Sequence, residues 1–504
     1  MANPPSASVP PHEPPAADAE VAAPPLNRAL ALLVAATFFM ENLDGTIIAT
    51  AAPAIAADLG VQPVDVNTAM TAYLVSVAVG IPVSGWLADR FGGRRVFLVA
   101  IALFTVASAL CAISPTLPVL CAVRVLQGLG GAMMVPVGRL VVLRTTRKRD
   151  LLDAIAYLTW PALIAPVVAP FLGGWLSTYA SWEWIFLVNI PLGVLALVVA
   201  LRVVPDVPAG GGQGRTPPLD WLGFVLCGAA LGGLLLGLEQ LSGTAGDSPV
   251  GAVLLALALV AGAGTVWRML RAAHPLLDLR ALAVPTFRVG NASGMVYRMA
   301  ISAAPFLLPL MFQLSFGWSA VDAGLMVMAV FAGNVLIKPA TSPLIRAFGF
   351  RTVITGSALG GSVMFGLCAL LRPGTPLAVI AGVLFLSGVF RSIGFSGYNS
   401  LQFADIGSEQ MSGANTLSST IGQLAAGLGV ALGALALRAA DPVLDTLAPE
   451  LGPLARYQFA FGVLAVLMLY PVVEAWWGLH HSAGGEVAGR KPTSGPQRGP
   501  AARS

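Results

Sequence analysis

Two carboxylates three residues apart, Glu41 and Asp44, sit inside a long apolar run, Phe39-Met-Glu41-Asn-Leu-Asp44-Gly-Thr46. Residues at that spacing share one face of a helix. An ionised carboxylate buried without a partner is costly, and two neighbouring acids resist simultaneous ionisation, which favours keeping one proton between them. A proton-coupled carrier needs that chemistry; the plainer alternative is a static pair neutralised by an arginine. Arg124 is the candidate partner. By residue count it lies roughly 9 Å below the outer end of its own run, and Asp44 roughly 12 Å below the end of the first, at 1.5 Å per residue. Glu41, Asp44 and Arg124 are therefore the expected proton-coupling centre. Three more cations, Arg298, Lys338 and Arg391, lie within apolar runs of the second half, with Glu474 the obvious acid nearby. Buried cations mark a pathway or find a counter-ion. They either recognise an acidic or amphipathic substrate or pair with Glu474 and helix-end carbonyls. Polarity inside apolar runs adds Tyr73, Gln127, Tyr297, Gln313 and Asn399 as candidate cavity residues.

No other constellation competes. The four cysteines, Cys111, Cys121, Cys227 and Cys368, are widely spaced in apolar runs, which fits neither a disulfide framework nor a metal site. HExxH, a phosphate-binding loop and GxSxG are all absent from the sequence. No catalytic residue, metal or cofactor is expected, and no basic stripe suggests nucleic acid. The expected energy source is a proton gradient.

These residues must be positioned by membrane helices. Apolar residues make up 56% of the 504, charged residues 10%, and the mean hydropathy is +0.80. A soluble domain carries about 25% charged residues, so this much apolar surface must face lipid. Runs of about 20 apolar residues fall at 28–50, 66–88, 96–113, 118–142, 154–178 and 185–203. Two more fall at 219–238 and 250–267, and six at 289–314, 323–344, 352–371, 376–400, 413–437 and 457–478. The expected fold is an all-α polytopic membrane protein of about fourteen spans, arranged six, two and six. Its expected parts are a six-helix bundle over 28–203, a linker with two extra spans over 204–288, and a second bundle over 289–479. The segments 1–27 and 480–504 read as disordered tails, the first without the basic cluster and apolar core of a signal peptide.

Arginine and lysine placement sets the orientation. Of the 28, 20 fall in segments that a cytoplasmic N-terminus puts inside, and three, Arg372, Arg438 and Arg456, fall outside. Both termini are thus expected in the cytoplasm, in a bilayer of the bacterial cytoplasmic (inner) membrane type. A faint internal repeat accompanies this. Pro82, Leu87, Phe91-Gly92 and Arg94 match Pro339, Leu344, Phe348-Gly349 and Arg351 at one constant offset, and Asp65 matches Asp322. Repeated halves around a central cavity are a common basis for alternating access.

Gly85-Trp-Leu-Ala-Asp89-Arg90-Phe-Gly92-Gly-Arg94-Arg95 closes the second span on the inner side. Its glycines allow close helix approach, and an aspartate among arginines can latch an inner gate. The string resembles the loop signature of the major facilitator superfamily, and Arg346 replaces the acid in the second copy. Leu43-Asp44-Gly-Thr46 through Pro53 resembles the first-span signature of the fourteen-span drug:proton antiporters (EmrB/QacA-like). Arg124-Val-Leu-Gln127-Gly128-Leu-Gly130-Gly131 is similar to that branch's fourth-span motif. Pro166, Pro170, Gly173 and Gly174 resemble its fifth-span antiporter motif, although Ala165 and Ala169 stand where the family has glycines. Trp182-Glu183-Trp184-Ile-Phe186 through Asn189 is similar to its sixth-span string, with Glu183 in place of arginine. Leu308 through Gln313 and Ser408 through Asn415 extend the likeness through the membrane body.

The resemblance implies a proton-coupled antiporter, not an enzyme, that exports hydrophobic or amphipathic drugs by alternating access and so contributes to drug resistance. Its partners would be a small-molecule substrate, protons and the lipid bilayer. Some relatives in the branch also work with a periplasmic adaptor protein. A dedicated metabolite, organic-acid or siderophore exporter on the same fold and a non-transporting membrane sensor are the alternatives.

Overall fold

The structure, a computed structural model, describes residues 26–63, 65–206, 217–242, 249–447, 452–480, 483–485 and 487. The proline-rich N-terminal tail up to residue 25 lies outside them, as does most of the C-terminal tail.

The first half comprises α1 (Arg28–Leu59), α2 (Asn67–Phe91), α3 (Gly93–Ala112), α4 (Leu117–Thr145), α5 (Leu151–Tyr179), α6 (Trp184–Leu187) and α7 (Asn189–Val203). The extra pair α8 (Trp221–Ser242) and α9 (Pro249–Arg271) follows. The second half comprises α10 (Pro285–Leu314), α11 (Ala320–Leu336), α12 (Lys338–Phe348), α13 (Phe350–Ala369), α14 (Leu377–Ala404), α15 (Met411–Leu447), α16 (Leu454–Leu467) and α17 (Leu469–Gly478). No strand occurs among the described residues. Among the described residues, twelve helical segments are long and apolar enough to cross a membrane, and the bent pair α11–α12 makes thirteen. To these α5 adds 29 residues, about 44 Å of helix at 1.5 Å per residue.

The repeat seen in the sequence governs the packing. α1 lies along α5, and α2 and α3 flank α4; α10 lies along α15, and α11 and α13 flank α14. Gly92 (φ 88°) and Gly349 (φ 81°) end α2 and α12 in matching turns, in a region of backbone space that a Cβ makes costly. The copies differ in one respect. α2 runs unbroken through Pro82, whereas the apolar run 323–344, expected as one span, is bent by 52° between Leu336 and Lys338. Pro339, in the first turn of α12, has no N–H to offer the preceding turn.

The extra helices stand beside this body. α8 packs on α9 and leans on α2 and α15, and Arg268 Nε donates to Asp220 Oδ1 at 3.0 Å to tie the pair together. Val253, Leu257, Leu259, Val260 and Leu270 of α9 are exposed, as a lipid-facing helix requires. Of the segment 480–504, expected as a disordered tail, residues 480, 483–485 and 487 are described; among them Val487 is buried and Gly484 abuts Phe350.

Candidate functional site: a buried acid–arginine network beside a central cavity

Asp44 is fully buried, and Arg124, equally buried, reaches its Oδ2 with Nη1 at 2.5 Å. Two further helices, α3 and α7, complete the network. Gln127 Nε2 donates to Asp44 Oδ1 (2.9 Å) and to Ser108 Oγ (2.8 Å), and Asn189 Nδ2 donates to Asp44 Oδ1 (2.8 Å). The guanidinium also donates to Gln127 Oε1 (2.7 Å) and lies over the rings of Tyr73 (4.1 Å) and Phe186 (5.7 Å). A buried ion pair is stabilised when its spare lone pairs and protons are satisfied; here each Asp44 oxygen has a donor, while Arg124 Nη2 is buried without an acceptor.

Glu41, one turn earlier on the same face, is placed differently. It is half-buried and lines a cavity of about 450 Å³ between the halves. Its main-chain carbonyl accepts from Tyr73 Oη (3.3 Å). Its carboxylate has no hydrogen bond or ion pair among the described residues. The two acids expected to act as one pair are thus divided: Asp44 is locked, and Glu41 faces open space.

The cavity has Glu41, Asn42 and Tyr73 on one wall and Arg298, Asn334, Arg391 and Asn399 on the other. Of the candidate cavity residues, Tyr73, Arg298, Arg391 and Asn399 line it, and four do not. Gln127 turns into the Asp44 network. Tyr297 is fully buried against Tyr398 and donates to the Phe390 carbonyl (2.8 Å), because adjacent helix positions point about 100° apart and its neighbour Arg298 takes the cavity face. Gln313 sits at the far end of α10, outside the lining. Lys338 is outside the lining, donating to Ser396 Oγ (2.7 Å) and to the lining residue Thr159 through its Oγ1 (3.1 Å). Nor does Glu474 neutralise these cations; it accepts from Ser293 Oγ (2.8 Å).

Contacts between the halves gather at the end that carries the arginine-rich loops. Arg139 donates to Asn415 Oδ1 (2.7 Å) and Ser419 Oγ (2.5 Å), Asn415 Nδ2 to the Pro136 carbonyl (2.9 Å), and Arg346 to Asp153 Oδ2 (2.7 Å). At Gly85 a Cβ would stand 2.1 Å from Thr416 Oγ1, so only glycine lets α2 press this closely on α15. Asp89 accepts from Arg144 Nη2 of α4 (2.9 Å), while Arg94 is paired with Asp206 (2.9 Å) and Arg90 and Arg95 are exposed. The latch expected among the loop arginines is therefore drawn from α4, since Asp89 on the last turn of α2 faces its bundle neighbour. Its counterpart in the repeat, Arg346, crosses to the other half.

The remaining motifs serve packing around the network. At Gly173 a Cβ would meet Thr50 Oγ1 at 2.2 Å and the Ile47 carbonyl at 2.9 Å, so α5 presses on α1 beside the acids; at Gly174 nothing lies within 4 Å. Ala165 and Ala169 are fully buried; the side chains of Pro166 and Pro170 lie outside the described residues. Trp182 donates to Asp58 Oδ2 (3.1 Å), which fixes the short α6 so that Phe186 underlies Arg124 and Asn189 reaches Asp44. Ser108, Arg139, Asn189 and Asn334 were not among the sequence candidates. Each is a polar residue isolated in an apolar run, the signal that could have found them.

Two repeated helical halves around a polar cavity, closed together at one end, define a membrane transporter by architecture. Residues 34–430 match the family model described as Major Facilitator Superfamily, and the chain belongs to that family. It is 38% identical over 80% of its length to a protein of Escherichia coli O6:H1 named multidrug resistance protein MdtD, covering 85% of that relative. It is 37% identical over 79% of its length to the protein of that name from Serratia proteamaculans, covering 83% of it. The fold resembles the human organic anion transporter MFSD10 (TM-score 0.61, 17% identity, 90% of this chain and 100% of that one). It also resembles the proton:xylose symporter XylE (TM-score 0.59, 11% identity, 90% and 96%). The chain is accordingly a multi-pass transporter of small molecules, not an enzyme, and its bacterial relatives place it in the bacterial inner membrane.

Proposed function

We propose that this transporter is a proton-coupled antiporter that exports amphipathic toxic compounds, with Glu41 as the carboxylate that exchanges its proton for substrate. One observation carries the reading: Glu41 opens onto the central cavity without a partner, while Asp44 is fixed by Arg124, Gln127 and Asn189. A carboxylate that must release and regain a proton needs contact with the aqueous pathway, and one that holds a helix in place needs the opposite. Asp44 and Arg124 then act as positioning residues. The relatives named multidrug resistance proteins support the substrate class.

In this proposal α5 completes fourteen spans, grouped as two six-span bundles and a linker carrying the extra pair, with both termini in the cytoplasm. The arginine-rich end faces inward, so the structure corresponds to the outward-facing state, with its inner gate closed by Gly85, Arg139 and Arg346. The proton gradient is the energy source and no bound cofactor takes part; the outer loops are the candidate surface for a periplasmic adaptor.

Purified protein in proteoliposomes without an imposed gradient tests it. Adding substrate from a panel of amphipathic compounds should release protons in stoichiometric proportion to uptake. A non-transporting sensor would bind without moving protons across the bilayer, and that result would sink the proposal.

A further inference from the structure

The arginine-bearing wall of the cavity has no role in proton exchange at Glu41. Arg298 is 7% exposed. One of its guanidinium nitrogens donates to Asn399 Oδ1 at 3.3 Å, and Nη1 is buried without a partner. Arg391 Nη1 is likewise buried and unpartnered, and its side chain makes no ion pair or hydrogen bond among the described residues. Beside them Asn334, 1% exposed, leaves both its side-chain nitrogen and oxygen without partners. It sits three residues before the break between α11 and α12, and broken helices at mid-membrane are where transporters place polar substrate groups. Buried donors left open are costly unless something fills them. All three side chains line the same cavity.

The opposite wall carries an acid, Glu41, as well as Arg139. Among the described residues Glu41 is the one acid lining the cavity, and it occupies in α1 the position that Arg298 occupies in α10, at the offset relating the two halves. The third lining arginine, Arg139, is already engaged by Asn415 and Ser419. The two-fold repeat thus presents an acid and a base at equivalent sites on facing walls, with Phe38, Ile301 and Phe395 among the apolar surface around them.

We propose that the cavity is a bipolar site for an amphipathic zwitterion: the oxyanion of the substrate binds Arg298, Arg391 and Asn334, and its ammonium group binds Glu41. The inference rests on Glu41 being the proton-exchanging acid, and it explains how exchange is enforced. The substrate's cation and the proton compete for one carboxylate, so both cannot ride together. The oxyanion contacts, in contrast, are indifferent to that proton and supply affinity. A simple lipophilic cation would leave the two arginines unfilled, and a simple anion would leave the Glu41 proton in place.

Calorimetric titration of the protein in lipid nanodiscs with three matched probes tests this: naphthylalanine (zwitterion), its N-acetyl derivative (anion) and its methyl ester (cation). The zwitterion should bind at least tenfold tighter than either relative. Arg298→Gln and Arg391→Met should weaken the zwitterion and the anion at least tenfold and leave the ester unchanged, and Glu41→Gln should weaken the zwitterion and the ester only. Arg391→Met should also leave the melting temperature unchanged or higher, since it removes an unpaired buried cation, whereas a merely structural arginine would lower it. Equal or tighter binding of the ester, binding of none of the three, or indifference of the zwitterion to both arginine variants would overturn the site. Proton release, measured in the same titration, is read separately: zwitterion binding without release would contradict the antiport and leave the bipolar site standing.

Discussion

At the scale of single residues, Glu41 and Asp44 show how one helical turn separates two duties. Asp44 receives donors from two elements beyond its own, and removing its charge would leave Arg124 buried and uncompensated. Breaking such a pair costs about 3–5 kcal/mol, so Asp44→Asn should lower the melting temperature of the purified protein markedly. Glu41→Gln removes no hydrogen bond made by the carboxylate and should change stability by about 0.5 kcal/mol at most. Equal losses in the two variants would contradict the division of roles. The sequence made the Asp44–Arg124 pair legible because both are lone charges in apolar runs at similar depth. It could not separate Asp44 from Glu41, because the separation depends on Asn189 and Ser108 arriving from helices whose lateral order no spacing rule fixes. Tyr297 and Arg298 show the same limit. Both are polar and adjacent, and only the rotation of α10 decides which one meets the cavity.

At the scale of elements, the inner gate is a set of helix contacts that glycine and crossed charges allow. Gly85 brings α2 onto α15, and Arg346 of α12 reaches Asp153 of α5. Partly exposed pairs are worth about 0.2–1 kcal/mol, enough to shift a two-state gate up to about fivefold. Arg346→Asp should therefore broaden spin-label distances between positions 149 and 348 toward an opened inner end, and adding Asp153→Arg should restore the narrow distribution. Unchanged distances in the single variant would show that the pair does not bear on the gate. The gate glycine was readable from its motif. The break between α11 and α12 was not, because Pro82 and Pro339 occupy equivalent places and only the second follows a bend. Proline permits a break without requiring one.

At the scale of the whole molecule, the proposed six, two and six arrangement and its orientation rest on apolar runs and basic loops, signals summed over many residues and so robust to any one of them. Cysteine labelling checks the orientation directly, in a background with Cys121 replaced, the others being buried. A membrane-impermeant maleimide should label Ser181→Cys in intact cells and Arg149→Cys only after lysis; the reverse pattern would invert the gate assignment. The central claim joins all three scales: an accessible acid, in a cavity closed at its inner end, couples export to protons. Its most direct test is Glu41→Gln in proteoliposomes, assayed for gradient-driven accumulation and for gradient-free counterflow of one transported compound. The account predicts that accumulation under an imposed pH gradient falls to the ungraded baseline while counterflow persists. Accumulation equal to that of the unaltered protein would contradict it.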